Sequence, residues 1–125
     1  MSAYLDTHVA LWLYAGDTDR LSARAANSIN RESLAICPIV LMEIQYLHEI
    51  GRITVRPGAI VADLERRVGL RVEDRSLAEV VEHGLGLSWT RDAFDRLIVA
   101  QAALDRAVLI TRDRLILKNY PKALW

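Results

Sequence analysis

The chain has 125 residues, 52% hydrophobic and 26% charged, which suffices for one domain with its own core. Its sixteen basic and sixteen acidic side chains cancel. This excludes a protein that coats nucleic acid through bulk positive charge, but leaves room for local arginine contacts. The single cysteine, Cys37, excludes an internal disulfide, and CxxC motifs are absent.

The longest uncharged stretch, 33–42, is far short of a membrane span. Asp6 interrupts any signal-peptide pattern at the start. The expectation is a soluble cytoplasmic protein, one domain over 1–125, with no membrane partner.

In chain order, 3–5 reads as a short strand ending at Asp6, and 8–16 as a helix stopped by Gly16. Ser22 caps a second helix over 22–31. A strand over 34–36 is broken by Pro38, and a helix over 39–51 closes on a glycine. Residues 58–69 form another helix, with Pro57 at its start. A strand over 70–74 precedes a helix over 77–86, and a long buried helix spans 93–106. "AVLIT" (107–111) is the clearest strand, 115–119 suits a helical turn, and 123–125 suits a last edge strand. Strands alternating with helices predict an α/β fold: a single-domain three-layer α/β/α sandwich around a mainly parallel sheet of four to five strands. Such a sheet binds ligands at the carboxyl ends of its strands, where strand order reverses.

The chain places acids there. Asp6 follows the first strand and Asp113 follows "AVLIT"; Asp92 and Asp95 open the helix before it; Glu43 lies in the helix after the second strand. Helix capping competes as an explanation for Asp6, Asp113 and Asp92, and the Asp92/Asp95 spacing resembles a capping box. Glu43 resists that explanation. Its helical neighbours are Ile39, Val40, Tyr46 and Leu47, so it points along an apolar stripe. A carboxylate there needs a partner, either an arginine or a cation. Asp95 has the same problem beside Ile98 and Val99. Clustered carboxylates repel unless a cation sits between them, and an all-oxygen set suits Mg²⁺ or Mn²⁺. His8, His48 and His83 show no zinc-type spacing.

"YLDTHVALW", "IVLMEIQYL", "RDAFDRLIVAQA" and "LITRD", together with the final Trp125, resemble a PIN domain over essentially the whole chain. More closely they resemble the VapC-type toxin ribonucleases of toxin–antitoxin pairs. The resemblance implies a Mg²⁺- or Mn²⁺-dependent endoribonuclease that leaves a 5′-phosphate and a 3′-hydroxyl. Asp6, Glu43, Asp95 and Asp113 match the family's catalytic and metal-binding acids; Asp92 is an outer ligand or a cap. Ala93 stands where many relatives have proline. Thr7 and Thr111 lie beside the acids, to orient them or simply to cap local turns. Arg91, Arg96, Arg112 and Arg114 are placed to meet phosphates, or else to pair with the aspartates or lie solvated.

The resemblance also implies a homodimer and a VapB-type antitoxin lying across the groove. Trp12, Tyr14, Tyr46 and Trp89 are contact candidates, or core residues. Two rivals stand beside this reading. One is a non-catalytic PIN-like binding protein; the other is a receiver-like Mg²⁺-binding signalling domain, for which Asp6 lacks an adjacent acid. The residues do not separate RNA from DNA as substrate, nor one metal ion from two.

Overall fold

The computed structural model describes residues 2–125. Five strands are present among them: β1 (Ser2–Leu5), β2 (Ser33–Ile36), β3 (Arg71–Val72), β4 (Val108–Ile110) and β5 (Ala123–Leu124). They form one sheet in the order β3-β2-β1-β4-β5, and every pairing is parallel. Parallel strands need crossovers, supplied by seven helices: α1 (Thr7–Ala15), α2 (Ala23–Arg31), α3 (Pro38–Glu49), α4 (Pro57–Val68), α5 (Leu77–Leu85), α6 (Ala93–Leu104) and α7 (Arg114–Asn119). A short 3₁₀ turn over Thr18–Arg20, which the pattern did not predict, joins α1 to α2.

The expected three-layer α/β/α sandwich is what forms. Ala3, Tyr4 and Leu5 of β1, Leu34, Ala35 and Ile36 of β2, and Leu109 and Ile110 of β4 are all buried. Central parallel strands covered on both faces carry such continuous apolar runs. The order differs from the 2-1-3-4-5 sheet of receiver domains, so the receiver-like reading is set aside.

Element boundaries moved in three places. The strand predicted over 70–74 shrinks to the two exposed residues of β3, an edge strand paired only to β2. The strand predicted over 107–111 is reduced to β4. The helix expected to reach 106 ends at Leu104, although no glycine marks the stop. Arg106 takes a left-handed φ of 52°. Its N–H donates to Ala103 O at 3.0 Å, and the Ala107 N–H donates to Ala102 O at 2.9 Å. This is a Schellman closure with arginine at the position that glycine usually fills. At Gly16 and Gly69 the expected glycine stops do occur, with φ of 72° and 68°.

Strand order reverses between β1 and β4. Register pairs Leu5 with Ile110, and the Asp6 N–H donates to Ile110 O at 3.0 Å. The residues leaving these two strands, Asp6 and Thr111, therefore emerge side by side at the switch point.

Candidate active site

A pocket of about 350 Å³ opens at this edge, and its walls include Asp6, Glu43, Asp92, Asp95 and Asp113. All five acids singled out from the sequence thus face one space. Their supports differ.

Asp6 is 8% exposed. It caps α1 by accepting from the Thr7 N–H at 2.8 Å, and it accepts from the Thr111 hydroxyl at 2.6 Å. Glu43, on α3, accepts from the Thr7 hydroxyl at 2.5 Å. One threonine beside each strand end thus holds the acids, Thr111 on Asp6 and Thr7 on Glu43. The expectation for Glu43 needs correcting. The buried stripe of α3 runs through Val40 and Ile44, while Glu43 sits half-buried at its border and Tyr46 is exposed. Of the two partners weighed for Glu43, the arginine does not occur among the described residues; the side chain that meets it is a threonine.

Asp92 and Asp113 are held by two copies of one local design. "TRD" occurs at 90–92 and at 111–113. In each, the Asp N–H donates to the Thr hydroxyl two residues back, at 3.2 Å for Asp92 and 3.0 Å for Asp113. In each, the Asp carboxylate then caps a helix, accepting from the Asp95 N–H at 3.0 Å or the Ile116 N–H at 2.9 Å. The reciprocal half of a capping box does not form, because Thr90 already takes the Asp92 N–H. Capping and pocket lining, first weighed as competing readings, hold together for Asp6, Asp92 and Asp113.

Asp95 is the exception. Its carboxylate accepts no hydrogen bond and makes no ion pair among the described residues. Burial pushes its pKa up to about 8, and the charges of Asp6, Asp92, Asp113 and Glu43 add to the shift. Burial also raises Asp6 and Glu43, against the hydrogen bonds that favour their charged forms.

The donor set fits a hard divalent cation in kind, since it consists of carboxylates. Among the described residues, however, no three acidic, histidine or cysteine side chains stand close enough to hold a metal ion as placed. The acids line one pocket and their charges act on one another, and Asp95 is the one whose carboxylate has no hydrogen-bond partner among the described residues.

The arginines divide. Arg96 closes the end of α5, donating to Gly84 O and Leu85 O at 3.0 Å each. It neither pairs with an aspartate nor lies solvated. Arg91 donates to Ser88 O at 2.9 Å. Arg112 lines the pocket, and both it and Arg114 are exposed with no ion-pair partner among the described residues. His8 and Trp12 also line the pocket; the sequence marked Trp12 only as a partner-contact or core candidate, and His8 only as lacking zinc-type spacing. Their spacing of four puts them on one face of α1, a signal that gains meaning only once Asp6 is fixed at that helix's start. The free Cys37 is buried beside Gln101, its Sγ donating at 3.1 Å, and lies outside this pocket.

A family model for the PIN domain matches residues 3–122. No curated protein sequence matches the chain. Among solved structures, the chain is similar to one in VapBC2 from Rickettsia felis bound to a DNA fragment from their promoter. The TM-score there is 0.70 and the identity 21%, covering 99% of this chain and 96% of that one. A chain of a toxin–antitoxin complex from Klebsiella pneumoniae gives a TM-score of 0.68 at 20% identity, covering 98% and 96%. One in DNA-bound VapBC from Salmonella typhimurium gives 0.61 at 16%, covering 98% and 95%. At these identities the likeness is one of fold.

Proposed function

The chain belongs to the PIN domain family, and from that premise we propose that it is a VapC-type toxin, an endoribonuclease hydrolysing RNA phosphodiester bonds with Mg²⁺ or Mn²⁺. The observation that carries this reading is the convergence of Asp6, Glu43, Asp92, Asp95 and Asp113 on one pocket at the strand-order reversal. A structural core gains nothing from five carboxylates facing one another.

Asp6, Glu43, Asp95 and Asp113 would hold the cation, with Asp92 at the rim. A divalent ion there supplies a water of lowered pKa and positive charge against the phosphate oxygens. The chain's own residues do the rest. The Thr111 hydroxyl and the Thr7 N–H hold Asp6 in place and favour its charged form against burial, and the Thr7 hydroxyl holds Glu43. Asp95 has no protein partner that a cation would have to displace. Arg112 and Arg114 stand ready for substrate phosphates. Water adds to phosphorus as the bond to the 3′-oxygen breaks, leaving a 5′-phosphate and a 3′-hydroxyl.

The partner is a VapB-type antitoxin, supported by the occurrence of similar chains in VapBC complexes. The protein acts in the cytoplasm as a homodimer. Support for the dimer comes from exposed apolar side chains on α3 and α5: Met42 at 60%, Leu77 at 62% and Leu85 at 71% exposure. Met42 and Leu77 share one groove, so the two helices present a joined surface. No described helix is long and apolar enough to cross a membrane.

The test is cleavage of a labelled, structured RNA pool, and of matched DNA, with Mg²⁺, Mn²⁺ or EDTA. Wild-type protein freed of antitoxin is compared with Asp6→Asn and Asp95→Asn. Metal-dependent cutting of RNA, lost in both variants, is the expected result. Metal-independent cutting that persists in both variants sinks the acid-site reading. Folded wild type that cuts nothing favours the non-catalytic PIN-like protein.

A further inference from the structure

One buried side chain touches all three elements that deliver Asp6, Glu43 and Asp95. In α6 the buried residues Ile98, Val99, Ala100 and Ala102 are apolar, whereas Gln101, buried with them at 2% exposure, is polar. Its Nε2 donates to the Tyr4 hydroxyl at 3.2 Å and to Glu73 O, just past β3, at 2.7 Å. Its Oε1 accepts from the Cys37 Sγ at 3.1 Å. The partners fix which way the amide faces. Glu73 O can only accept, and the Tyr4 hydroxyl gives its proton to Asp105, so both need the Nε2 end. Asp105 is held in turn by Arg75.

Each of these contacts leads to an acid. Tyr4 stands two residues before Asp6 at the end of β1. Cys37 opens α3, and Glu43 follows it by six residues. Asp95 precedes Gln101 by six residues on α6 itself, a rise of about 9 Å. A second tie joins the same two helices, where the Tyr46 ring meets Phe94 at 5.9 Å between centres. Because Cys37 meets Gln101 and Tyr46 meets Phe94, α3 and α6 run in opposite directions along each other. Glu43 sits between the two ties on α3, and Asp95 between them on α6. Stability alone does not call for an amide at this place. A buried amide is costly unless bonded, and its bonds add little net once desolvation is counted. What they add is geometry. An apolar helix face can slide or turn on its neighbours, whereas directional bonds to three separate elements admit one placement.

We propose that Gln101 is a positioning residue for the acid site: its amide pins α6 to β1 and to the start of α3, and so sets the spacing of the backbones that carry Asp6, Glu43 and Asp95. This role rests on the metal-dependent nuclease reading and deepens it. The pin acts on backbones, and each carboxylate keeps its own rotamer.

The experiment is a Mn²⁺ titration of the full chain, read by the EPR signal of the free ion, with cleavage of the labelled RNA pool alongside. Gln101→Met removes all three hydrogen bonds at nearly constant length and volume. Ile60→Val is the stability control. Ile60 is fully buried on α4 and outside the network, and its loss of a methylene should lower Tm by about 5 °C. Gln101→Met should weaken Mn²⁺ binding about tenfold and lower kcat with KM for RNA kept, while Ile60→Val binds Mn²⁺ as wild type does. Tyr4→Phe keeps the ring and cuts the tie to β1; it should weaken Mn²⁺ binding too, and it decides by the same comparison if Gln101→Met does not fold. Wild-type Mn²⁺ affinity in Gln101→Met overturns the pin, and so does a loss that Ile60→Val reproduces. The two readings fail separately. Mn²⁺ binding that depends on Gln101, without cutting, keeps the pin and removes the nuclease. Binding and cutting indifferent to Gln101 keep the nuclease and remove the pin. Wild type that binds no Mn²⁺ removes both.

Discussion

Replacing Asp95 by asparagine should stabilise the metal-free protein at mildly alkaline pH. The side chain is nearly isosteric, and the carboxylate it replaces has no hydrogen-bond partner to lose among the described residues. What the change removes is a charge that burial and four neighbouring acids disfavour. Because its pKa is raised from 3.8 to about 8 in the folded state, Asp95 contributes stability that is fully present below the unfolded value. That contribution is lost as pH rises through about 8. At about 1.4 kcal/mol per pH unit the full interval amounts to about 6 kcal/mol. Asp95 is only part-buried, and solvent screening leaves roughly 1–3 kcal/mol. For a domain of this length, that moves Tm by about 5–10 °C. Thermal melts in EDTA near pH 5 and pH 8 read the effect directly. Wild type should lose more Tm than Asp95→Asn between the two, and the variant should melt higher at the upper pH. Asp6 and Glu43, also raised by burial, should leave the variant a residual slope. Millimolar Mg²⁺ at the upper pH should restore wild type and act weakly on the variant. Parallel pH profiles for the two proteins would refute the argument that these acids share one electrostatic site.

Thr111→Val keeps the shape of a fully buried side chain but removes the hydroxyl that donates to Asp6 and accepts from the Asp113 N–H. It should cost about 1–3 kcal/mol in denaturant unfolding and lower metal-dependent cleavage about 10–100-fold; full activity would show that Thr111 does not position Asp6. Arg96→Ala should destabilise by about 1–2 kcal/mol through the lost closure of α5, leaving RNA affinity unchanged. Arg114→Ala should do the reverse, with stability kept within about 0.5 kcal/mol and a shallower salt dependence of RNA binding; titrations at several salt concentrations decide. Leu77→Glu, on the exposed groove shared with Met42, should yield a folded monomer in sedimentation, and an unchanged dimer would place the interface elsewhere.

Much of this protein is legible in one dimension, where a short-range rule suffices. Apolar runs of three or four residues, too short for helices, locate the central strands. Gly16, Ser22, Pro57 and Gly69 mark helix ends through backbone constraints that act within a few residues. The five acids stand out because carboxylates beside apolar runs demand an explanation. Other features come only from the third dimension. Arg106 adopts the left-handed conformation because the chain must turn from α6 into β4, a demand that no local propensity announces. Arg96 looks like one more phosphate contact in the sequence, but packing of α6 on α5 brings it to the carbonyls of Gly84 and Leu85. The register of β1 on β4 puts Thr111 against Asp6, 105 residues away in the chain. The face that His8 and Trp12 share becomes part of a site only when the sheet carries Glu43, Asp95 and Asp113 to the same edge. Residue types and helical spacing are local properties; which of them meet is set by strand order and register, and these follow from burying the whole apolar surface at once.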